Sequence, residues 1–400
     1  MATNTLLTSD IITNEALAIL HNKLSFIGKV NRQYDDSYAK TGAKIGDTLR
    51  IRLPNQYTVR TGTALSTNNT VENNTTLTVG TQKGVDMSFT TAELTMDIQD
   101  FSERIIDPAM SVLAANIEAD AFNMYQDVYN QVGTPGTTPA TLKTYLDAKT
   151  KLNQGLAPKD TKRCIQLNSD ASATLVDALK GLFQSSGQIS KQYIEGVMGR
   201  GAGFDWFENE LVPVHTNGTN VAAGTVNGAA QTGASLIVAG LTATSTITKG
   251  TVFTVAGVNR VHSETKADFG VLQQFVVTAN ATSDGAGAAT LSISPSLVAT
   301  GAYQNVTGSP ANGAALVWGD GAASAANPKH LAFHKDAFAF ASADLEMPDG
   351  VDFKARKQFE GLSIRCIRQY DINTDTIPCR LDVLYGYKTI RAELASRVTG

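Results

Sequence analysis

Four hundred residues is more chain than one hydrophobic core usually organises, so the length predicts two or three domains. Hydrophobic residues make up 42% of the chain and charged residues 18%, which excludes global disorder. The net charge of −4 argues against a protein that grips nucleic acid electrostatically, since that needs a basic patch or stripe. It leaves room for one that merely encloses nucleic acid.

The first residues, MATNTLLTSDIITNEAL, have no basic segment followed by an apolar one, so they do not read as a signal peptide. No apolar run approaches the length of a membrane span. The three cysteines, Cys164, Cys366 and Cys379, are too few and too irregular for a disulfide framework or a C-x-x-C metal pattern. They read as buried, reduced thiols in a protein of a reducing cytoplasm.

Residues 13–25 predict a short helix capped by Thr13, with Leu17, Ile19, Leu20 and Leu24 on its apolar face. Leu49, Ile51 and Leu53 then alternate with Arg50 and Arg52, a half-exposed strand ended by Pro54. A polar excursion over 61–82 leads to a second alternation at Val85, Met87 and Phe89. Two strands joined this way make an extended hairpin, or flap, with little core of its own, so it is expected to pack on something else. Residues 101–132 carry the clearest helical stripe: Met110, Leu113, Ala114, Ile117, Ala121, Met124, Tyr125 and Val128. Asp107-Pro108 suits its first turn, and Gly133-Thr-Pro-Gly136 suits its end. Further on come a helix over 140–155, a buried strand over Arg163–Leu167, a helix over 169–184 capped by Ser169 or Asp170, and a fourth helix around Ser190–Gly199. This stretch reads as a compact α+β domain.

Residues 217–326 differ from what precedes them. Gly, Ala, Thr, Ser, Val and Asn dominate, and candidate strands at Ser235–Val238, Val252–Val255, Gly270–Thr278 and Ala289–Ile293 are separated by turn residues. That is the pattern of a small all-β barrel or sandwich. Mixed character returns from Lys329, and the chain finishes in long alternating strands that turn at Tyr370–Asp375. The β segment therefore reads as an insertion into a host fold that breaks off near 216 and resumes near 327.

Motifs for chemistry are sparse. His262 and Glu264 would share a strand face but have no further ligand near them in sequence. His330 and His334 have helical i, i+4 spacing, yet Leu331 stands where a metalloprotease motif needs Glu. Gly199–Gly203 lacks the frame of a phosphate-binding loop and reads as a tight loop. No catalytic residue, cofactor or metal is expected, and the chain reads as a non-enzyme.

The order of the parts resembles the major capsid (coat) protein of tailed bacteriophages with the HK97-type fold, and within it the P22-like coat protein family. KIGDTLRIRLP (44–54) is similar to the strand entering that family's extended loop. RIIDPAMSVLAANIEADAF (104–122) is similar to the opening of its spine helix, and GRGAGFDWFENELVPVH (199–215) to the loop before its inserted domain. VFTVAGVNRV (252–261) matches the insertion in place and composition. The resemblance implies an α+β, HK97-type fold. It divides into an N-terminal arm and helix (1–43), an E-loop (44–90), a P-domain spine helix (91–135), a first A-domain part (136–216), an inserted β-barrel or I-domain (217–326), a second A-domain part (327–350) and P-domain terminal strands (351–400). It further implies self-assembly in the bacterial host cytoplasm, with a scaffolding protein, into hexamers and pentamers of an icosahedral virion shell around double-stranded DNA. Portal and decoration proteins would be further partners, with no membrane involved. Arg50, Arg52, Arg60, Glu72 and Lys83 on the flap are the candidate intersubunit contacts. An encapsulin-like shell protein and a surface binding module that uses the β insertion are the competing readings.

Overall fold

The computed structural model describes residues 9–32, 48–65, 67, 69, 70, 72–90, 106–179, 199–359, 362–374 and 376–399. They group into one unit formed by Met1–Ile51, Thr75–Phe122 and Phe338–Ile390, and a second formed by Arg52–Asn74, Asn123–Ala337 and Arg391–Gly400.

In the first unit, the alternating C-terminal residues make a sheet around the long strand Thr376–Thr389. This strand pairs antiparallel with Thr81–Thr90 on one side, and with Leu362–Arg368 and Phe338–Ala343 on the other. Phe353–Phe359 pairs with Leu362–Arg368 at the edge. Helix Ser9–Lys23 lies over these last two strands and against helix Asp107–Phe122. The expected helix start at Thr13 is corrected: the helix begins four residues earlier, and Thr13 is a fully buried interior residue. Phe26 stacks on Phe122 with centroids 4.3 Å apart. Glu118, buried on the long helix, accepts a hydrogen bond from Ser25 Oγ at 3.1 Å and another from the Phe26 amide.

The long helix is shorter than its apolar stripe predicts. It runs Asp107–Phe122 and tightens into a 3₁₀ turn at Asn123–Asp127; Gln131–Gly133 is a strand rather than helix. The stripe stays buried at Met124, Tyr125 and Val128. The cause is tertiary. The C-terminal strand Ala395–Thr399 pairs in parallel with Gln131–Gly133, and Arg397 donates to the Val128 and Asn130 carbonyls, so these groups leave the helical ladder.

In the second unit, a mixed sheet runs in the order Gln131–Gly133, Ala395–Thr399, Ala326–His334, Arg163–Leu167, Phe204–Glu208 and Arg200–Gly201, with Val214–Thr216 pairing on Ala326–His334. Helix Leu142–Gln154 packs on it through buried Tyr145, Ala148 and Leu152. Helix Ser169–Leu179 is capped by Asn168, whose Oδ1 accepts from the Ala171 amide at 3.0 Å, rather than by Ser169 or Asp170. The expected continuation to 184 and the fourth helix up to 198 lie outside the described residues. Ala202 and Gly203, both at positive φ, turn Arg200–Gly201 back onto Phe204–Glu208. The glycine-rich stretch is thus a two-residue hairpin of the type that needs left-handed backbone.

Val214–Thr216 and Ala326–His334 are neighbouring strands, joined by the pairs Thr216 with Ala326 and His215 with Asn327. The chain therefore leaves and rejoins the sheet at one place. Between those points lies an antiparallel sheet in the order Leu316–Trp318, Val252–Val261, Asp268–Val277, Ala289–Leu297, Gly233–Ala239 and Thr225–Val226. Its two edges bond to each other. Val226 N donates to Ala314 O at 2.9 Å, Leu316 N donates to Gly224 O at 3.1 Å, and Thr225 bridges Ala315. The sheet closes on a core that includes Leu236, Val238, Phe253, Val255, Phe275 and Leu291. Closure removes the exposed edges that a free sheet presents to other chains.

Candidate assembly surface

The flap rises from a root where Thr48–Arg52 pairs with Asn74–Thr78, extended by the Leu53 amide donating to Asn73 O at 2.9 Å. The expected partner of the first strand, the Val85–Phe89 alternation, pairs instead with Thr376–Thr389. The polar-looking NTTLT is the actual return strand. One face of the root is buried: Ile51, Leu77 and Val79 pack with Ala339, Ala341 and Leu384. Gly386 lets the root approach, because a Cβ there would sit 2.2 Å from Thr78 O. Above the root the flap has no core. Tyr57 is 52% exposed, Leu65 85% and Val59 93%.

The five charged candidates separate. Arg50 is exposed on the open face of its strand. Arg52 and Glu72 face each other at 3.8 Å, both largely exposed. Arg60 curls onto its own loop and donates to the Gly62 and Ala64 carbonyls. Lys83 is engaged inside the chain: its ammonium lies 2.7 Å from Asp120 on the long helix, and Tyr385 Oη donates to the same carboxylate. The five are not brought together into one site.

The flap base has a polar tie that the sequence reading missed. Lys266 Nζ donates to Ser263 O at 2.6 Å, Ala302 O at 2.5 Å, Gln304 O at 3.3 Å and Gln56 Oε1 at 3.3 Å. Only the last partner belongs to the flap. Partial burial lowers the Lys266 pKa. Beside this tie is a cavity of about 610 Å³ lined by Gln56, Tyr57, Arg260, Tyr303, Arg391 and Glu393 among others. Within it Arg391 pairs with Glu393 at 2.8 Å, and Arg260 donates to Asn130 Oδ1 at 3.0 Å.

Where the barrel meets the host sheet, buried charges lie alongside a small apolar cluster of Tyr129, Val252 and Val276. Lys329 and Asp320, both essentially inaccessible, pair at 2.6 Å. Asp320 Oδ2 also accepts from the Val252 amide at 2.5 Å, and its carbonyl accepts from Asn217 at 2.7 Å and Asn327 at 3.0 Å. Arg397 is fully buried, donates to Gly250 O at 2.6 Å and Val128 O at 2.7 Å, and lies over the Tyr125 ring. Tyr125 Oη in turn meets His215 Nδ1 at 3.1 Å. Burial pushes the Asp320 carboxyl up, but the Lys329 and Arg397 charges outweigh it and hold it below the usual carboxylate range. Burial lowers Lys329 while Asp320 pulls it the other way. His215 and His330 are both driven down to about 4 by burial, so each is neutral at pH 7.

His330 and His334 sit on the strand Ala326–His334, not on a helix. At roughly 3.3 Å per residue they stand about 13 Å apart. His334 Nε2 instead meets Asp160 Oδ1 at 3.1 Å. His262 Nδ1 accepts from the Glu264 and Thr265 amides and so shapes its own turn. Among the described residues no cluster of three or more His, Cys, Asp or Glu side chains could hold a metal ion, and no helix is long and apolar enough to cross a membrane.

The sequence matches the P22 coat protein family (gene protein 5) over residues 1–400. The chain belongs to that family. It is a bacteriophage coat protein, a structural subunit that associates with copies of itself into the virion capsid. None of the curated proteins matches it. Solved structures similar to it include Mycobacterium phage Che8, at 12% identity and TM-score 0.48, covering 94% of this chain and 90% of that one. The capsid of the cyanophage P-SCSP1u is similar at 10% identity and TM-score 0.44, covering 90% and 84%. The mature capsid of bacteriophage PhiM1 is similar at 10% identity and TM-score 0.41, covering 90% and 83%. Each of the three solved structures covers most of this coat protein's length.

The buried Asp320–Lys329–Arg397 cluster was the part of the coat protein that sequence reasoning passed over. Its trace was visible as Lys329 and Arg397 standing inside otherwise strand-like apolar stretches, NPKHLAFH and ASRVT.

Proposed function

We propose that this coat protein assembles, with a scaffolding protein and in the bacterial host cytoplasm, into hexamers and pentamers of an icosahedral HK97-type shell that encloses double-stranded DNA without reading its sequence. A portal protein and decoration proteins would complete the particle. In this reading the flap is the E-loop, the long helix and terminal strands form the P-domain, the mixed sheet belongs to the A-domain, and the closed barrel is the inserted I-domain.

The observation that supports it best is the flap above its root. Tyr57, Val59 and Leu65 are open to solvent on a segment with no core. Burying such side chains on a neighbour contributes about 1.5–3 kcal/mol for each one fully covered. Arg50 on the open face, and Arg52, Arg60 and Glu72 elsewhere on the flap, would then set the register between subunits, while Lys83 ties the strand Thr81–Thr90 to the long helix within its own chain. Single exposed ion pairs contribute little, so geometry rather than strength is their expected role.

The test is shell formation. Light scattering and negative-stain microscopy would compare the wild type with Val59→Ser/Leu65→Ser, each expressed alone and with the neighbouring genes. Uniform closed particles for the wild type, and soluble folded subunits for the variant, are expected. A wild type that stays monomeric with every neighbouring gene present would overturn the reading.

A further inference from the structure

Two of the three cysteines meet. Cys366 and Cys379 stand on adjacent antiparallel strands of the first unit. Cys366 pairs with Leu381, two residues from Cys379, so both thiols point to the same face of the sheet. Their sulfurs are 3.5 Å apart, and both side chains are buried. The helix Ser9–Lys23 covers this part of the sheet, and the Thr13 hydroxyl hydrogen-bonds Cys366. Cys164 lies on a strand of the other unit.

We propose that Cys366 and Cys379 are a latent disulfide, a modification site at which a small oxidant staples the Leu362–Arg368 strand to Thr376–Thr389. Closing the bond takes the sulfurs from 3.5 Å to about 2.05 Å. Rotation about the two Cα–Cβ bonds, with a small strand adjustment, supplies that movement. A buried pair excludes bulky disulfide oxidants, so the fitting class is a small neutral peroxide.

The step balances with hydrogen peroxide. The Cys366 thiolate attacks a peroxide oxygen and breaks the O–O bond, giving a sulfenic acid and a hydroxide that takes up the proton released by the Cys366 thiol and becomes water. The second sulfur then attacks the sulfenic sulfur, forming the S–S bond and expelling hydroxide, which takes up the remaining thiol proton as a second water. Two thiols are oxidised and one peroxide is reduced to two waters. The hydrogen bond from Cys379 favours the thiolate at Cys366, whereas that bond and burial push Cys379 up. The two therefore ionise in turn, Cys366 first, which suits attack by one and closure by the other.

Diagonal neighbours on paired strands have more widely spaced Cα atoms than directly opposite ones, and wide spacing gives a more easily reduced bridge. The site is thus reduced in a reducing cytoplasm and oxidised outside it. That timing rests on the proposed assembly in the host cytoplasm; the chemistry does not.

The test uses the folded full-length chain, both as unassembled subunits and as particles where they form. The protein is treated with hydrogen peroxide, quenched, unfolded and alkylated. Free thiols should fall from three to one, the mass should drop by two hydrogens, and a peptide pair joined at 366 and 379 should appear and vanish with dithiothreitol. Cys366→Ser and Cys379→Ser should each show no such pair. The oxidised chain should melt several degrees higher than the reduced one. Retention of three thiols, sulfinic acid at either position, or a bridge formed only after unfolding would each overturn the proposal. A bridge that left the melting temperature unchanged would overturn the stapling. Subunits alone suffice for this assay, so a failure to build shells would not be confused with a failure here.

Discussion

The flap and the barrel are both long departures from the strands that carry them, and they solve the same problem in opposite ways. The barrel bonds its two edges together and fills its interior with Phe253, Phe275, Leu236 and their neighbours. The flap buries only its root and leaves Tyr57, Val59 and Leu65 in water. The barrel also exposes apolar side chains, Val221 at 76% and Val317 at 60% among them, so the difference teaches that possession of a core, not length or exposed apolar surface alone, is what separates the two excursions. It also separates two quantities that are easily confused. Changes at the barrel seat should register in the stability of the subunit, and changes at the flap tip in the association of subunits.

The sharpest way to break that separation is at the seat. Asp320→Ala leaves Lys329 buried without its carboxylate, and such a loss costs about 3–5 kcal/mol. Chemical denaturation should show it, and adding Lys329→Met should recover part of it. A change below ~1 kcal/mol would mean that water reaches the pair.

Next in size is pH. His215 and His330 have folded pKa values of about 4 against about 6.5 unfolded. Between those values the unfolded chain binds the extra protons. Stability is therefore full above about pH 6.5 and declines as pH falls towards 4, by about 1–2 kcal/mol for each histidine between pH 7 and 5. Denaturation midpoints across that range should fall, and a flat profile would show both rings to be solvated.

Lys266→Met tests the tie between the two regions. Losing its hydrogen bonds should cost only about 0.5–1.5 kcal/mol, yet limited proteolysis around Gln56 should quicken several-fold. Equal cleavage rates would mean that Gln56 is held by other means. The smallest effect on subunit stability belongs to Val59→Ser and Leu65→Ser, within about 0.5 kcal/mol of wild type, while shell yield falls. A large loss of stability there would erase the distinction between flap and barrel.

Much of the fold was legible where one physical signal acted alone. Arg163–Leu167 was read with its observed bounds, because a run of strand formers sits between turn residues. The four longer barrel strands showed through their alternation and the glycine-bearing turns around them. The short strands Thr225–Val226 and Leu316–Trp318, which close the barrel, are too brief to carry a period. NTTLT was read as a polar loop because Leu77 is its only apolar residue, and burial of that one side chain sets the strand. The end of the long helix was misplaced because its apolar stripe continues to Val128 while the backbone there is claimed by a strand more than two hundred and fifty residues later. Of the candidate site, the flap and its charges could be named, but not that Lys83 is occupied by Asp120 or that Lys266 holds Gln56. Side-chain partners so distant in sequence leave no local pattern.

The seat of the barrel has a consequence for the order of events on the ribosome. Every strand of the barrel has emerged by Trp318, but the seat needs Arg397, which grips the Gly250 carbonyl, and Thr399, which receives Lys329. At about 5–20 residues per second the barrel waits roughly 4–16 s for those groups. During that interval Lys329 and Asp320 have each other but not the strand that roofs them. The seat is therefore completed only once translation has passed the strand Ala395–Thr399.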